Sequence, residues 1–125
     1  MKLLLDTSVI IDYTKGDERI LDAINEADGV YTSSLCSFET LVGSSKNKDI
    51  ERFLVELTPL PFTFRDSKRA ASICLALDKL GKRVKIMDIL IYAQAIERGL
   101  CILTTDNHFE IVNDAVKGEV KIVKL

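Results

Sequence analysis

Short apolar runs recur along the chain, and polar residues or glycines separate them. Runs of this kind are typical of buried strands, and they predict strands over 2–5, 30–33, 101–104 and 120–123. A further run over 59–64 contains Pro59 and Pro61. Because proline cannot donate to a strand ladder, this segment would form a strand only at an edge of the sheet.

The intervening segments have the spacing of amphipathic helices. The first helix should end at Gly29 and the second before Pro59. A third should run from an N-cap at Asp66 to Gly81, and a buried fourth from 86 to 96, ended by Gly99. The apolar faces of the first three comprise Ile20, Leu21, Ile24 and Ala27; Ile50, Phe53, Leu54 and Leu57; and Ala70, Ile73, Cys74, Leu77 and Leu80.

Strands that alternate with helices predict an α/β fold around a mostly parallel sheet. Fully apolar strands fit this arrangement, because helices cover both faces of a parallel sheet. No linker, repeat or low-complexity stretch interrupts the sequence, so we expect a single domain over residues 1–125.

Composition narrows the function without naming it. The 125 residues are 47% hydrophobic and carry a net charge of −2, so any affinity for nucleic acid must come from local features. No apolar run approaches the roughly 20 residues that span a bilayer, so we expect no membrane association. The three cysteines have no metal-type spacing. Without a signal peptide they predict reduced thiols in a cytoplasmic protein.

Two aspartates close predicted strands. Asp6 follows Leu3-Leu4-Leu5, and Asp106 follows the run 101–104. Ligands of open parallel sheets gather beyond the carboxyl ends of the strands, where these side chains should meet. Each aspartate could equally be the N-cap of the next helix, which is the commoner role for one such residue alone.

Two further acids lie in predicted helices with apolar neighbours. Glu39 follows the second strand, and Asp88 opens the most hydrophobic helix. Taken singly, Glu39 reads as a surface residue and Asp88 as a helix cap. Four carboxylates at one sheet edge would repel one another, and a hard cation such as Mg²⁺ or Mn²⁺ would remove that cost. One or two such ions would suit phosphoryl chemistry.

The four acids occur in motifs that resemble the PIN-domain family, and within it the VapC toxins of toxin–antitoxin pairs. The opening Leu-Leu-Asp-Thr-Ser-Val-Ile-Ile-Asp is similar to the first family motif and contains Asp6. Glu39 matches the second family acid, and Asp88 in Met-Asp-Ile-Leu-Ile-Tyr matches the third. Thr104-Thr105-Asp106 followed by Phe109 resembles the last motif. The ordered set covers essentially the whole chain.

This resemblance implies a PIN-like three-layer α/β/α sandwich. It further implies that the four acids are both the metal ligands and the catalytic residues of an RNA-hydrolysing enzyme that uses Mg²⁺ or Mn²⁺. Family members commonly form homodimers. They are silenced by a cognate VapB-like antitoxin, whose C-terminal segment covers the active site.

Several neighbouring residues accompany the four acids. The hydroxyl groups of Thr7, Ser8 and Thr104 could support the carboxylates, or could cap helices instead. Basic residues precede Asp88, and we name Lys82, Arg83 and Lys85 as candidate contacts to RNA phosphates, although a solvated loop explains them equally well.

His108 lies where many relatives carry an acidic or polar residue. It is interpreted as a polar residue in the first turn of a helix, although a single histidine near acids also invites a general-base role. The substitution leaves open whether a second metal position is complete.

Other function classes fit less well. Ser8 occupies the position where a haloacid dehalogenase-type phosphatase needs a second aspartate, and there is no phosphate-binding glycine motif. The main alternative is a non-catalytic PIN-like RNA-binding module in RNA processing or ribosome assembly. Such modules usually lose one or more of the acids. A structure-specific DNA nuclease is a third possibility, although those enzymes are generally longer.

Overall fold

Four parallel strands form the central sheet. The computed structural model describes residues 1–44, 47–118 and 120–125. The strands are β1 (Lys2–Leu5), β2 (Gly29–Thr32), β3 (Cys101–Thr104) and β4 (Ile122–Lys124), in the spatial order β2-β1-β3-β4. All three neighbouring pairs are parallel. The carboxyl ends of β1, β2 and β3 therefore point toward the same edge of the sheet.

Helices connect the strands and cover the sheet, which confirms the predicted PIN-like α/β/α architecture. They are α1 (Thr7–Thr14), α2 (Glu18–Glu26), α3 (Ser34–Gly43), α4 (Lys48–Glu56), α5 (Phe64–Lys79), α6 (Ile86–Arg98) and α7 (His108–Val116). Within the described ranges, no helix is both long and apolar enough to cross a membrane.

The core forms where β1 and α6 are buried. Leu3, Leu4 and Leu5 are almost fully inaccessible, as expected for a strand between two others in a parallel sheet. The burial predicted for the helix over 86–96, which is α6 in the structure, is confirmed from Asp88 to Ala95, with Leu90 half-buried. Ile86 in its first turn is exposed. Gly99 ends this helix in the left-handed conformation (φ 64°), which a residue without Cβ adopts at low cost.

Two local predictions were wrong. The first helix does not reach Gly29, because Ala27 is already extended and Gly29 pairs with Lys2 as the first residue of β2. Segment 59–64 was expected at an edge of the sheet, and among the described residues it forms one bridge there, between Leu60 and Ser33, which follows the edge strand β2. The prolines on either side of Leu60 lack an N–H and so limit further pairing.

The second error concerns Asp66. Thr63 is the N-cap of α5, and Asp66 lies three residues further on, where its carboxylate accepts the backbone N–H of Thr63. The two side chains thus form a capping box, in which the acid sits inside the first turn.

Candidate functional site

Asp6 connects β1 to α1 at the carboxyl edge of the sheet. Its Oδ1 accepts the backbone N–H of Thr7 at 2.8 Å, so it does cap α1. Its Oδ2 accepts the hydroxyl of Thr104 at 3.0 Å and the hydroxyl of Ser8 at 3.4 Å. The residue is only 5% exposed. The cap and site interpretations of Asp6 are therefore compatible, because each uses a different oxygen.

The environment of Asp6 opposes its ionisation. Burial raises its pKa to about 6, even though the Thr7 N–H and the Thr104 hydroxyl both favour the charged form. The nearby carboxylates of Asp106 and Asp88 raise the pKa further. A cation beside this carboxyl would favour the charged form and lower the pKa again.

The end of β3 is tied to the end of β1 by hydroxyl groups. The Thr104 hydroxyl donates to Asp6 and accepts the backbone N–H of Asp106 at 3.2 Å. The Thr105 hydroxyl donates to the Ser8 hydroxyl at 3.0 Å. These bonds hold the loop of Asp106 beside Asp6. Thr104 and Ser8, predicted as supporting residues, both lie against Asp6.

Asp106 lies one residue before Asn107, the N-cap of α7. Its Oδ1 accepts the backbone N–H of His108 at 3.0 Å, so Asp106 satisfies a free N–H at the start of the helix, although the N-cap itself is Asn107 and not Asp106 as the capping interpretation expected. The residue is half-buried. It therefore combines a local structural role with an accessible carboxylate beside Asp6.

Glu39 reaches the same place from α3. This helix begins directly after β2, where the Ser33 side chain accepts the N–H of Leu35 and starts the first turn. Glu39 lies half-buried in the helix and accepts the Thr7 hydroxyl at 3.0 Å. This bond turns Glu39 toward the start of α1, so that Thr7 links the first and second predicted acids.

Asp88 approaches from the first turn of α6. It is 8% exposed, and its buried Oδ2 has no hydrogen-bond partner among the described residues. Burial raises its pKa, with further contributions from Asp106 and Glu39, while His108 and Lys85 lower it. The cap interpretation does not hold for Asp88, because Lys85 is the N-cap residue of α6.

Sequence reasoning missed the contact that His108 makes across the site. Its Nδ1 lies 3.2 Å from Asp88 Oδ2 and 3.7 Å from Asp106 Oδ1. It is in the first turn of α7, as expected, but its imidazole also faces two of the four acids. The only signal in the sequence was its place two residues after Asp106.

The basic residues before Asp88 divide into two groups. Lys82, Arg83 and Lys85 are all exposed. Lys85 lies close enough to Asp88 to lower the pKa of that acid. Lys82 and Arg83 instead line a cavity of about 210 Å³ beside Cys74 of α5. Of the three candidates, Lys85 is the one whose charge acts on the acids.

The four acids come from four segments of the chain and act on one another electrostatically, but they do not form a closed cage. Among the described residues, no three side chains of His, Cys, Asp or Glu are already grouped as a metal site. Mg²⁺ is commonly held by only one or two carboxylates and keeps several waters. The unpartnered Asp88 oxygen and the raised pKa of Asp6 fit an open site of that type.

The comparisons with known proteins agree with this geometry. The family model of the PIN domain matches residues 3–115. No curated protein sequence matches the chain. Among solved structures, the chain is similar to VapBC-5 of Mycobacterium tuberculosis, a member of the VapBC family of toxin–antitoxin systems, with 28% identity and a TM-score of 0.74 over 99% of this chain and 98% of that one.

Two further structures share the fold. DNA-bound VapBC from Salmonella typhimurium has 23% identity and a TM-score of 0.81, over 99% of this chain and 98% of that one. FitAcB from Neisseria gonorrhoeae has 22% identity and a TM-score of 0.77, over 98% of this chain and 96% of that one. With most of its length matched by the family model, the chain belongs to the PIN domain family.

Proposed function

We propose that the protein is a metal-dependent endoribonuclease and the toxin of a VapBC-type toxin–antitoxin pair. The observation that carries this proposal is the convergence of Asp6, Glu39, Asp88 and Asp106 on one edge of the sheet. Burial and mutual repulsion keep the pKa of both Asp6 and Asp88 above the ordinary value. Unpaired buried carboxylates reduce stability, so their presence favours a functional role.

The four acids would hold one or two Mg²⁺ or Mn²⁺ ions. Their oxygen donors suit these hard cations, and a divalent charge would offset the repulsion among them. When bound, the ion supplies Lewis-acid chemistry at a phosphodiester and favours ionisation of an attacking water.

The surrounding hydroxyl groups would keep the acids in place. Thr104 donates to Asp6 and Thr7 donates to Glu39, so each hydroxyl leaves other carboxylate lone pairs free for a cation. We assign Thr7, Ser8 and Thr104 as positioning residues, because the hydroxyl group of each donates a hydrogen bond to one of the acids.

RNA is the proposed substrate, although the net charge of −2 gives no general attraction to it. Lys85 lies beside Asp88 and is the best-placed candidate for a phosphate contact. Lys82 and Arg83, exposed in the same loop, would contact phosphates further along the strand.

The proposal of a toxin rests on the solved relatives, in particular VapBC-5, which exceeds 25% identity over almost the full length of both chains. By this likeness, a VapB-like antitoxin would bind the protein. The resemblance to the PIN-domain toxins implies that the antitoxin covers the acids and that the protein forms a homodimer, and we propose both. We also propose a cytoplasmic location, because the three cysteines have no metal-type spacing and fit reduced thiols.

A cleavage assay tests the enzyme. Labelled single-stranded RNAs of varied sequence are incubated with Mg²⁺, Mn²⁺ or a chelator. We expect metal-dependent cleavage, lowered at least about 100-fold in Asp6→Asn, because removal of a preorganised charge from such sites commonly has this effect. Asp22→Asn is the matched control, since Asp22 is exposed on α2 and the charge change is identical.

Equal activity of Asp6→Asn and Asp22→Asn would contradict the assignment of Asp6. RNA binding without cleavage or metal binding would instead support the non-catalytic RNA-binding module. The toxin role is tested by inducing the chain in a bacterial host. Growth arrest by the wild type but not by Asp6→Asn is expected, and unimpaired growth with soluble wild-type protein would contradict it.

A further inference from the structure

The arrangement of His108 suggests more than a polar start to α7. Its imidazole Nδ1 lies 3.2 Å from Asp88 Oδ2 and 3.7 Å from Asp106 Oδ1, although these acids belong to different segments. The backbone N–H of His108 donates to Asp106 at 3.0 Å, which fixes the start of the helix beside that acid. The side chain is 46% exposed, so a solute ion can reach it.

His108 Nδ1 and Asp88 Oδ2 lie close together but do not form a hydrogen bond. Asp88 Oδ2 is buried and forms no hydrogen bond among the described residues, even though His108 Nδ1 lies at contact distance. The two atoms are thus neighbours without the alignment of donor and acceptor. A buried oxygen left without a partner costs free energy, and its presence points to a group that binds there.

The spacing of these atoms matches that of adjacent ligands around one cation. In an octahedral shell with bonds of about 2.1 Å, neighbouring ligand atoms are about 3.0 Å apart. The separation of 3.2 Å between Nδ1 and Oδ2 is close to this value, whereas the 3.7 Å between Nδ1 and Asp106 Oδ1 would have to shorten when a cation binds.

We infer that His108 is a metal ligand that acts together with Asp88 and Asp106, and that it makes the site selective for Mn²⁺ over Mg²⁺. This inference rests on the proposed metal-dependent function. Carboxylates and water suit both ions, whereas an imidazole nitrogen is a softer donor that favours transition metals. Mg²⁺ demands near-ideal octahedral geometry and gives up its waters reluctantly, so it gains little from the nitrogen.

Metal binding without RNA tests the inference. Mn²⁺ and Mg²⁺ are titrated separately into tag-free wild type, His108→Asn and Glu110→Gln by calorimetry. We expect His108→Asn to lower the affinity for Mn²⁺ about 10-fold or more, because the loss of one group around a metal commonly lowers its affinity by this much. The affinity for Mg²⁺ should fall less than about 2-fold, because Mg²⁺ gains little from the imidazole nitrogen. Glu110→Gln is the control, because Glu110 lies exposed in the same turn of α7.

Electron spin echo measurements on the Mn²⁺-loaded protein give a second readout. The chain contains one histidine, so any imidazole nitrogen coupling to Mn²⁺ must come from His108. Its presence in the wild type and loss in His108→Asn is expected.

Bound Mn²⁺ without nitrogen coupling, or equal ratios of Mn²⁺ to Mg²⁺ affinity in both proteins, would overturn the role of His108. In either case the carboxylate-based enzyme would stand. If the wild type binds neither Mn²⁺ nor Mg²⁺, the metal-dependent function is overturned as well.

Discussion

Two buried aspartates in this protein have opposite environments. Asp66 in α5 is 1% exposed and accepts two hydrogen bonds from the Arg98 guanidinium, at 2.8 and 2.9 Å. Asp6 is 5% exposed, and the donors that it has among the described residues are hydroxyl groups and a backbone N–H. Burial alone would raise the pKa of Asp66, but its bonds from Arg98 and Thr63 lower it, whereas the pKa of Asp6 rises to about 6.

The difference separates a structural carboxylate from a candidate functional one. Asp66 has its cation within the chain, and it joins the start of α5 to the end of α6. Asp6 faces two other acids, and among the described residues no arginine or lysine forms an ion pair with it. Burial therefore does not identify a site by itself. The informative feature is a buried charge whose counter-ion the fold does not provide.

Removing the positive charge of Arg98 should give Asp66 an environment like that of Asp6. In Arg98→Met we expect a loss of about 3 kcal/mol in the free energy of unfolding, because a buried carboxylate is left unpaired. The pKa of Asp66 should then rise above its ordinary value. Urea denaturation and NMR titration of the Asp66 carboxyl carbon measure the two effects. An unchanged unfolding free energy would show that Arg98 contributes little to the stability of this region.

The corresponding change at Asp6 should have the opposite sign. Without metal at pH 7.5, Asp6→Asn should raise the free energy of unfolding by about 2 kcal/mol, because it removes a charge that burial and neighbouring acids disfavour. Asp22→Asn, on an exposed helix face, should change it by less than about 0.5 kcal/mol. Urea denaturation in chelator measures both variants. Destabilisation by Asp6→Asn would mean that its hydrogen bonds outweigh the cost of the buried charge.

The gain in Asp6→Asn should depend on pH. The folded-state pKa of Asp6, about 6, lies above the unfolded value of 3.8, so the folded protein binds the proton more tightly. Stability of the wild type is therefore lost as pH rises through the window from 3.8 to 6. The difference between Asp6→Asn and wild type should grow across that window by at most about 3 kcal/mol and be constant above it. Unfolding curves from pH 3.5 to 8 in chelator measure this dependence, and a flat difference would contradict it.

The sequence predicted the position of Asp6 at the carboxyl edge of the sheet, and it misjudged the local role of Asp66. Asp6 was recognisable because a fully apolar strand ends in an acid, and parallel topology then places that acid at the ligand-binding edge. Asp66 was predicted as an N-cap, since its partner Arg98 lies 32 residues away and no local pattern encodes that ion pair. The approach of His108 to Asp88 was missed for the same reason.

Backbone details were also beyond the sequence pattern. Gly29 resembled a helix stop, but its pairing with Lys2 is decided by the register of the sheet. The segment around Leu60 was identified as a poor strand because proline removes N–H donors locally. Local chemistry thus predicted helices, strands and the place of the four acids at the sheet edge. Contacts between side chains of distant segments could be seen only in the folded structure.

The smallest expected effect concerns the hydroxyl that supports Asp6. Thr104 is fully buried and bridges the Asp6 carboxylate and the Asp106 N–H. In Thr104→Val, which preserves the side-chain shape, we expect a loss of about 1 kcal/mol in the free energy of unfolding. The pKa of Asp6 should rise further, because its ionised form loses a donor. NMR titration of the Asp6 carboxyl carbon and urea denaturation measure the two effects.

Thr40 provides the matched control for Thr104→Val. It is equally buried, but its hydroxyl donates to the Cys36 carbonyl within its own helix, at 2.7 Å. That carbonyl is also an acceptor of the helix ladder, so Thr40→Val leaves no carboxylate without a donor. The pKa of Asp6 should therefore move in Thr104→Val and not in Thr40→Val. Equal shifts in both would mean that general packing, rather than the donor on β3, controls the ionisation of Asp6.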